Sequence, residues 1–319
     1  MKRQTFLKCL AASALAAAVP LRTSAATTLK LLIPANAGGG WDTTGRALGA
    51  ALVETKGTDT VLYENKGGDA GALGLAQFLQ TAKSDPNALM MTGAVMLGGL
   101  VASKAPITLT QCTPIARLTS EYNVFVVRPD SPLTTMADLV ALLKRDPAAV
   151  KWGGGSRGST EHIAACALAR TLRVDPKLVQ YVPSKGGSDA AEAVLAGQVT
   201  VAGSGYSEFA DLIAQGKMRA LGVTSQRRLP GVAIPTLKEQ GYDVVLGNWR
   251  GVYGAPGISA EQAAALTDMV VRATRAKVWQ EALQQHRWTA AVESGKEFAD
   301  FVQFEIASTQ ATMYLAGML

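Results

Sequence analysis

Residues Trp152 to His162 read WGGGSRGSTEH, and within them Gly154-Gly155-Ser156-Arg157-Gly158 satisfies the G-x-S-x-G pattern of a hydrolase nucleophile elbow. An elbow serine needs a histidine base and an acid that orients it, following in the chain order Ser, Asp/Glu, His. The chain has 2 histidines. His162 lies in the helix that Ser156 precedes, the wrong place for an elbow partner, and is read as a structural helix residue. His286 lies in the polar run EALQQHRWT near the end of a helix. An HGGG-type oxyanion motif is missing, and one G-x-S-x-G arises easily among 32 glycines. A secreted serine esterase built on Ser156 is therefore the lesser reading. The same residues also describe a glycine-rich turn at a helix mouth, whose backbone amides hold an anion and leave it unchanged. Neither these histidines nor Cys112 and Cys166 have metal-ligand spacing, so no metal site and no cofactor are expected.

A second segment has the same build. IPANAGGGWDTTGRAL, Ile33 to Leu48, follows an apolar run and opens an amphipathic one, with Thr or Ser at the helix head as in the first. The first four amides of a helix lack internal partners, and the helix dipole favours negative charge there. Glycine removes the Cβ that would block close approach. In open α/β sheets such loops lie at the carboxyl edge of the strands, where ligands bind. Two mouths facing across a cleft would grip an anion from both sides. Neither loop ends in the GK[ST] of a P-loop or forms G-x-G-x-x-G with a suitably spaced acid. Gly68, Gly71 and Gly74 make a weaker pattern, read as a loop leading into a helix.

The elements that must position these loops follow from periodicity. Short apolar runs at Leu29–Ile33, Val61–Glu64, Leu89–Thr92, Val124–Arg128, Val150–Trp152, Val179–Val182, Val199–Ala202, Leu221–Thr224 and Val244–Leu246 alternate with amphipathic stretches, the rhythm of an α/β fold. Leu48, Ala51, Leu52 and Thr55 have helical spacing, as do Ala165, Leu168, Ala169 and Leu172. Residues 88–102 read as a buried strand turning into a helix, and everything from Ser259 onward as helices without a strand.

Compartment follows from the amino terminus. Lys2, Arg3 and Lys8, the apolar run Cys9–Val19 and the small residues Thr23–Ala26 form a secretory signal peptide, cut near Ala25 or Ala26. The apolar run is shorter than the roughly 20 residues of a membrane span. General secretion fits better than twin-arginine export, because Gln4 stands where a second arginine belongs. Lys2, Arg3, Lys8 and Arg22 carry four of the six net positive charges, so the mature protein has no basic excess for nucleic acid. Cys112 and Cys166 are then the remaining cysteines, free to pair or to stay buried thiols.

PANAGGGWDTTGRAL, YENKGGDAGALG, GGGSRGSTEHIAA, VPSKGGSDAAEAVLAGQVTVAGSG, GKMRALGVTSQRRLPG, IPTLKEQGYDV and NWRGVYGAPG occur in order along Leu29 to Phe304. Together they resemble the extracytoplasmic solute receptors of tripartite tricarboxylate transporters, the Bug/TctC type. The resemblance implies a two-lobe periplasmic-binding-protein (Venus-flytrap) fold with two doubly wound α/β domains: residues 27–123 plus 250–319, and residues 124–249. It implies no catalysis, a carboxylate held largely by backbone amides, a receptor acting as a monomer, and delivery to the membrane permease. A receptor for a sensor kinase is the variant within the class. The first loop departs from the common Pro-Gly-Gly with Ala37-Gly38-Gly39, and Ser184 stands where an aromatic is common. The forms GGGW, GGGSRGST and NWRG are similar to the tricarboxylate branch and imply a citrate-like ligand.

On that basis the contacts expected are Asn36, Gly39, Gly40, Trp41, Asp42 and Thr43 in the first loop and Ser156, Arg157, Gly158, Ser159 and Thr160 in the second. Lys185 and Gly187 add a third contact, Ser204 and Tyr206 a fourth. Each has a structural alternative. The hydroxyls of Ser156, Ser159 and Thr160 can cap the helix. Arg157 can pair with a ligand carboxylate or stand exposed, and Trp41 and Trp249 can wall the cleft or pack in the core. Asp42 is read chiefly as a brace for its loop, paired with Arg46. Arg250 is placed near a lobe crossover.

Overall fold

The computed structural model describes residues 27–315 and 317–319, so the signal-peptide reading of residues 1–26 lies outside the described residues. The chain runs β1 (Thr28–Ile33), α1 (Gly40–Glu54), β2 (Thr60–Asn65), α2 (Ala72–Thr81), β3 (Ala88–Gly93), α3 (Ala94–Ala102) and a long β4 (Thr113–Val127). It continues α4 (Met136–Arg145), β5 (Lys151–Gly154), α5 (Thr160–Thr171), β6 (Gln180–Pro183), α6 (Gly187–Leu195), β7 (Val201–Gly205), α7 (Tyr206–Ala214) and β8 (Arg219–Val223). The last part is β9 (Gly247–Gly254), α8 (Ala260–Ala273), α9 (Lys277–Gln285), β10 (Thr289–Ser294) and α10 (Gly295–Leu315).

The strands follow the order β2-β1-β3-β9-β4-β7-β5-β6. In the first half β1 pairs in parallel with β2 and β3; in the second, β5 pairs in parallel with β6 and β7. Each trio is closed by an antiparallel strand, β9 against β3 and β4 against β7. The two halves thus repeat one plan, so the loop after β1 and the loop after β5 occupy corresponding places. β4 joins them: residues 113–122 pair with β9, and residues 123–126 pair with β7.

The cores divide accordingly. One gathers Leu31, Ile33, Leu48, Leu52, Leu89, Trp249, Trp279 and Phe298 from the two ends of the chain. On β4, Phe125 and Val127 join a second core with Trp152 and Leu168, while Val124 and Val126 join a third with Val194 and Phe209. Alternate side chains of a strand point to opposite faces, so one strand serves two cores. The helical spacings hold: Leu48, Ala51 and Leu52 are buried in α1, and Ala165, Leu168 and Ala169 in α5.

The strand expectations need four corrections. β10 lies in the stretch read as strand-free; TAAVES alternates only weakly and pairs along β4, so its apolar signal is slight. β4 starts well before Val124, because Thr119, Ser120, Glu121 and Asn123 interrupt the apolar run while being buried. Val244–Leu246 is not a strand, and the pairing segment is the next one, β9. β7 begins at Val201, two residues later than the run that suggested it, and extends through Ser204 and Gly205. Cys112 and Cys166 are separate buried thiols, each pushed up to about 12 by burial. No described helix is long and apolar enough to cross a membrane.

The halves also touch away from β4. A side chain at Gly98 in α3 would run into the carbonyl oxygen of Gly158, which itself holds a left-handed φ of 80°. Backbone cannot yield as a flexible side chain can. Gly98→Ala is therefore expected to hold the halves apart, raising the radius of gyration in small-angle X-ray scattering while leaving the melting temperature little changed.

Candidate ligand-binding cleft

The carboxyl ends of the parallel strands point at one another across a cleft of about 370 Å³. Its walls come from the loops after β1, β2, β5 and β6, the starts of α3 and α7, and Glu121, Asn248 and Arg250 from the two long central strands. Six helices begin here: α1, α2, α3, α5, α6 and α7. Their N-cap residues are Gly39, Gly71, Gly93, Ser159, Gly186 and Gly205, and none caps its helix with a side chain. Away from the cleft the pattern reverses. Thr135 and Ser259 form capping boxes on α4 and α8, and Glu54 accepts from the Lys277 and Val278 amides of α9. A side-chain cap contributes about 1 kcal/mol, so leaving six starts uncapped forgoes stability where the amides face the cavity. One cleft helix is partly answered, since the Ser207 amide of α7 donates to Glu121 at 3.2 Å.

In the first loop Asn36, Gly39, Gly40 and Trp41 line the cleft, but Asp42 and Thr43 do not. Asp42 accepts from the Gly38 amide at 2.9 Å, from Arg46 at 3.0 Å and from Asn65 at 2.9 Å. Burial works to raise its carboxyl, yet these donors hold it below the usual range. It is the brace of the loop. Thr43 returns its hydroxyl to the Gly39 carbonyl at 3.1 Å. Trp41 walls the cleft, whereas Trp249 is packed in the core and donates to Glu305 at 3.2 Å.

In the second loop Ser156 and Ser159 line the cleft, while Arg157, Gly158 and Thr160 do not. Arg157 is exposed, reaches the Tyr181 carbonyl at 3.4 Å and lies in a neighbouring groove. Gly158 donates its amide to Nδ1 of His162 at 3.1 Å, and the His162 ring stacks on Tyr181 at 4.0 Å. That imidazole is engaged in holding the loop and offers Ser156 no base. His286 stacks on Trp288. Lys185, Gly187 and Ser204 line the cleft; Tyr206, at the start of α7, does not.

Of the charged floor the sequence pointed to Arg250 alone, near a lobe crossover, and to none of its carboxylates. Arg250 is 5 % exposed and lines the cleft. It pairs with Glu121 at 2.6 Å, donates to Thr44 at 3.0 Å and lies over Trp288 at 5.2 Å. Glu161 and Glu208 line the same space without an ion-pair partner among the described residues. Burial pushes the Glu161 carboxyl up against the pull of Ser159 and Thr160. Desolvation, with repulsion from Glu121 and Glu161, pushes Glu208 up, and Ser204 bonds to it. One signal was available: Glu121 is a carboxylate inside LTSEYNVFVV, a place where charge is rarely buried unpaired. Glu161 and Glu208 looked like ordinary first-turn acids of helices. Ser184, Gly67, Gly68 and Gly71 also reach the cleft, the last at a left-handed φ of 98°.

Two repeated α/β halves around a polar cleft of uncapped helix starts define a solute receptor. Residues 46–316 match the Tripartite tricarboxylate transporter family receptor, TctC, and the chain belongs to that family. The family and its structural neighbours are periplasmic substrate-binding receptors, not enzymes. A TctC solute binding protein from Polaromonas is 26 % identical, with 92 % of this chain and 99 % of that one covered at a TM-score of 0.74. MatC from Rhodopseudomonas palustris, solved with bound malate, shares the fold at 24 % identity, coverage of 89 % and 98 %, and a TM-score of 0.73. A UPF0065 protein of Agrobacterium vitis is 28 % identical over 229 residues, 70 % of this chain and 64 % of its own length. Another, from Cupriavidus necator, is 25 % identical over 298 residues, 91 % and 88 % of the two chains.

Two measurements test the supports of this cleft. Removing one partner of a buried ion pair costs about 3–5 kcal/mol, so Arg250→Met should lose that much in urea denaturation, and Arg250→Met with Glu121→Leu should recover a large part. Burial, with a smaller contribution from Arg157, lowers His162 to about 4. The unfolded histidine takes its proton first as pH falls, so the stability tied to the neutral ring is complete above about 6.5 and lost toward pH 4. The stability gap between the native chain and His162→Gln should narrow by on the order of 3 kcal/mol from pH 7 to pH 4.

Proposed function

We propose that this receptor captures a small carboxylate in the cleft and delivers it to the permease of a tripartite transporter. The observation that carries this reading is the set of uncapped helix starts converging on one cavity. Each offers free amides and a positive dipole end to an anion, and Asn36, Gly39, Gly40, Trp41, Ser156, Ser159, Gly187 and Ser204 present them from both halves. The bound malate of MatC, which shares the fold, supports a ligand of this kind.

The lobes in this reading are residues 27–123 with 250–319 and residues 124–249. They hinge where β4 changes partners near Tyr122 and Asn123 and where the chain returns near Leu246 and Gly247. Capture by one set of amides, followed by closure onto the other, forms the shape the permease reads. The loop forms favour a citrate-like ligand, but Glu121, Glu161 and Glu208 in the same cleft favour one with fewer negative charges. Export past a cleaved leader completes the scheme.

A bound carboxylate at 100 times its dissociation constant should stabilise the fold by about 2.7 kcal/mol. Thermal shift against mono-, di- and tricarboxylates checks this, and a flat panel rejects the reading. Gly186 lines the cleft in an extended conformation, and an added Cβ there meets nothing within 4 Å. Gly186→Leu should therefore fold normally while filling the site. Calorimetry should show binding weakened at least about 10-fold, some 1.4 kcal/mol.

A further inference from the structure

The last helix belongs to the first half by its packing. Phe298 and Val302 lie in the first core, and the Phe298 ring meets Trp249 edge-on at 5.8 Å. Past Val302, α10 turns outward from that core. Gln303, Phe304, Gln310, Tyr314 and Leu315 are exposed, and Met313 is the one fully buried side chain of this stretch among the described residues. Val302 and Met313 stand roughly three turns, or about 16 Å, apart along the helix. An apolar groove of about 670 Å³, lined by Leu97, Leu100, Ile306 and Tyr314, opens between α3 and α10, so the two helices meet across a gap along part of their length.

Met313 reaches the second half instead. A Cβ at Gly158 would lie 2.7 Å from Cε of Met313, 3.1 Å from the Gly98 carbonyl oxygen and 3.4 Å from Cβ of Ala102. The methyl of Met313 therefore sits against bare backbone of the second cleft loop, at the point where that loop already meets α3. Gly158 has a left-handed φ of 80°, which glycine adopts freely, and the same lack of a side chain admits the flexible thioether. Gly317 packs on the side chain of Lys177, in the turn between α5 and β6, and Met318 donates its amide to the Met313 carbonyl at 2.9 Å. The last helix of the first half thus ends on the second half. Another link between the halves, Arg287 with Asp211 at 3.4 Å, is an exposed pair that contributes little.

We propose that the end of α10 is a latch between the lobes: Met313, seated on Gly158, holds the second loop against the first half, and the lobes part only when it lifts. This rests on the two-lobe reading above and adds what restrains the hinge. Ser156 and Ser159 line the cleft while Gly158, between them, meets Met313, so ligand and latch act on one loop. A ligand that prefers the latched position of that loop favours closure by the difference in its affinity for the two positions.

Met313→Ala tests this on the intact chain without ligand. Small-angle X-ray scattering should give a radius of gyration above the native value, shifted in the same direction as Gly98→Ala, and amide hydrogen exchange at residues 155–163 should be faster. Met313→Leu, which refills the site, should restore both. A chain ending at Gln310 keeps Phe298 and Val302 and should exchange at residues 155–163 as fast as Met313→Ala, with circular dichroism confirming the fold. Faster exchange confined to residues 303–319, with a native radius and native exchange in the loop, overturns the latch and makes Met313 an anchor of its own helix alone. Because no ligand is present, that result leaves the carboxylate-receptor reading standing, and a flat acid panel overturns that reading without touching the latch.

Discussion

The structure depends on a set of hydrogen bonds that its own side chains do not make. Six helices start at the cleft and forgo the caps that α4, α8 and α9 possess. Unmet amides are tolerable where water or a ligand reaches them and costly where nothing does. The fold keeps them at the carboxyl edge of two parallel trios, so the stability not realised by capping becomes affinity for an anion.

The floor of the cleft answers a different need. β4 and β9 run side by side through the centre, and Glu121 and Arg250 meet between them. Arg250 reaches Thr44 in α1, and Glu121 reaches Ser207 in α7, so the pair ties one half to the other at the level where β4 changes partners. A buried ion pair contributes little net stability against an apolar replacement, but losing one partner is expensive. Its geometry therefore fixes how the halves meet. With Arg250 engaged, Glu161 and Glu208 are further carboxylates on the cleft lining.

The first and second loops show how far local pattern reaches. A strand, a glycine cluster and a helix head are all short-range features, and both loops were legible, with Asn36, Gly39, Gly40 and Trp41 of the first and Ser156 and Ser159 of the second on the cleft lining. The braces were partly legible too, because Asp42 and Arg46 share a helix face at a spacing of four. Arg157 was misleading for a physical reason. A long side chain in a loop can leave in any direction, and here it runs outward to the Tyr181 carbonyl. β10 was hidden because a peripheral strand of small and polar residues carries little hydrophobic period.

What the sequence determined by itself was the alternation of elements, the two glycine-lined helix mouths and the poverty of catalytic partners around Ser156. All of these follow from neighbours along the chain. Tertiary structure alone decided that Glu121, Glu161, Glu208, Asn248 and Arg250 share one cavity with those mouths. These residues come from β4, α5, α7 and β9, whose meeting is set by long-range strand pairing. Charge neighbourhood is a property of distance in space, and no spacing along the chain encodes it.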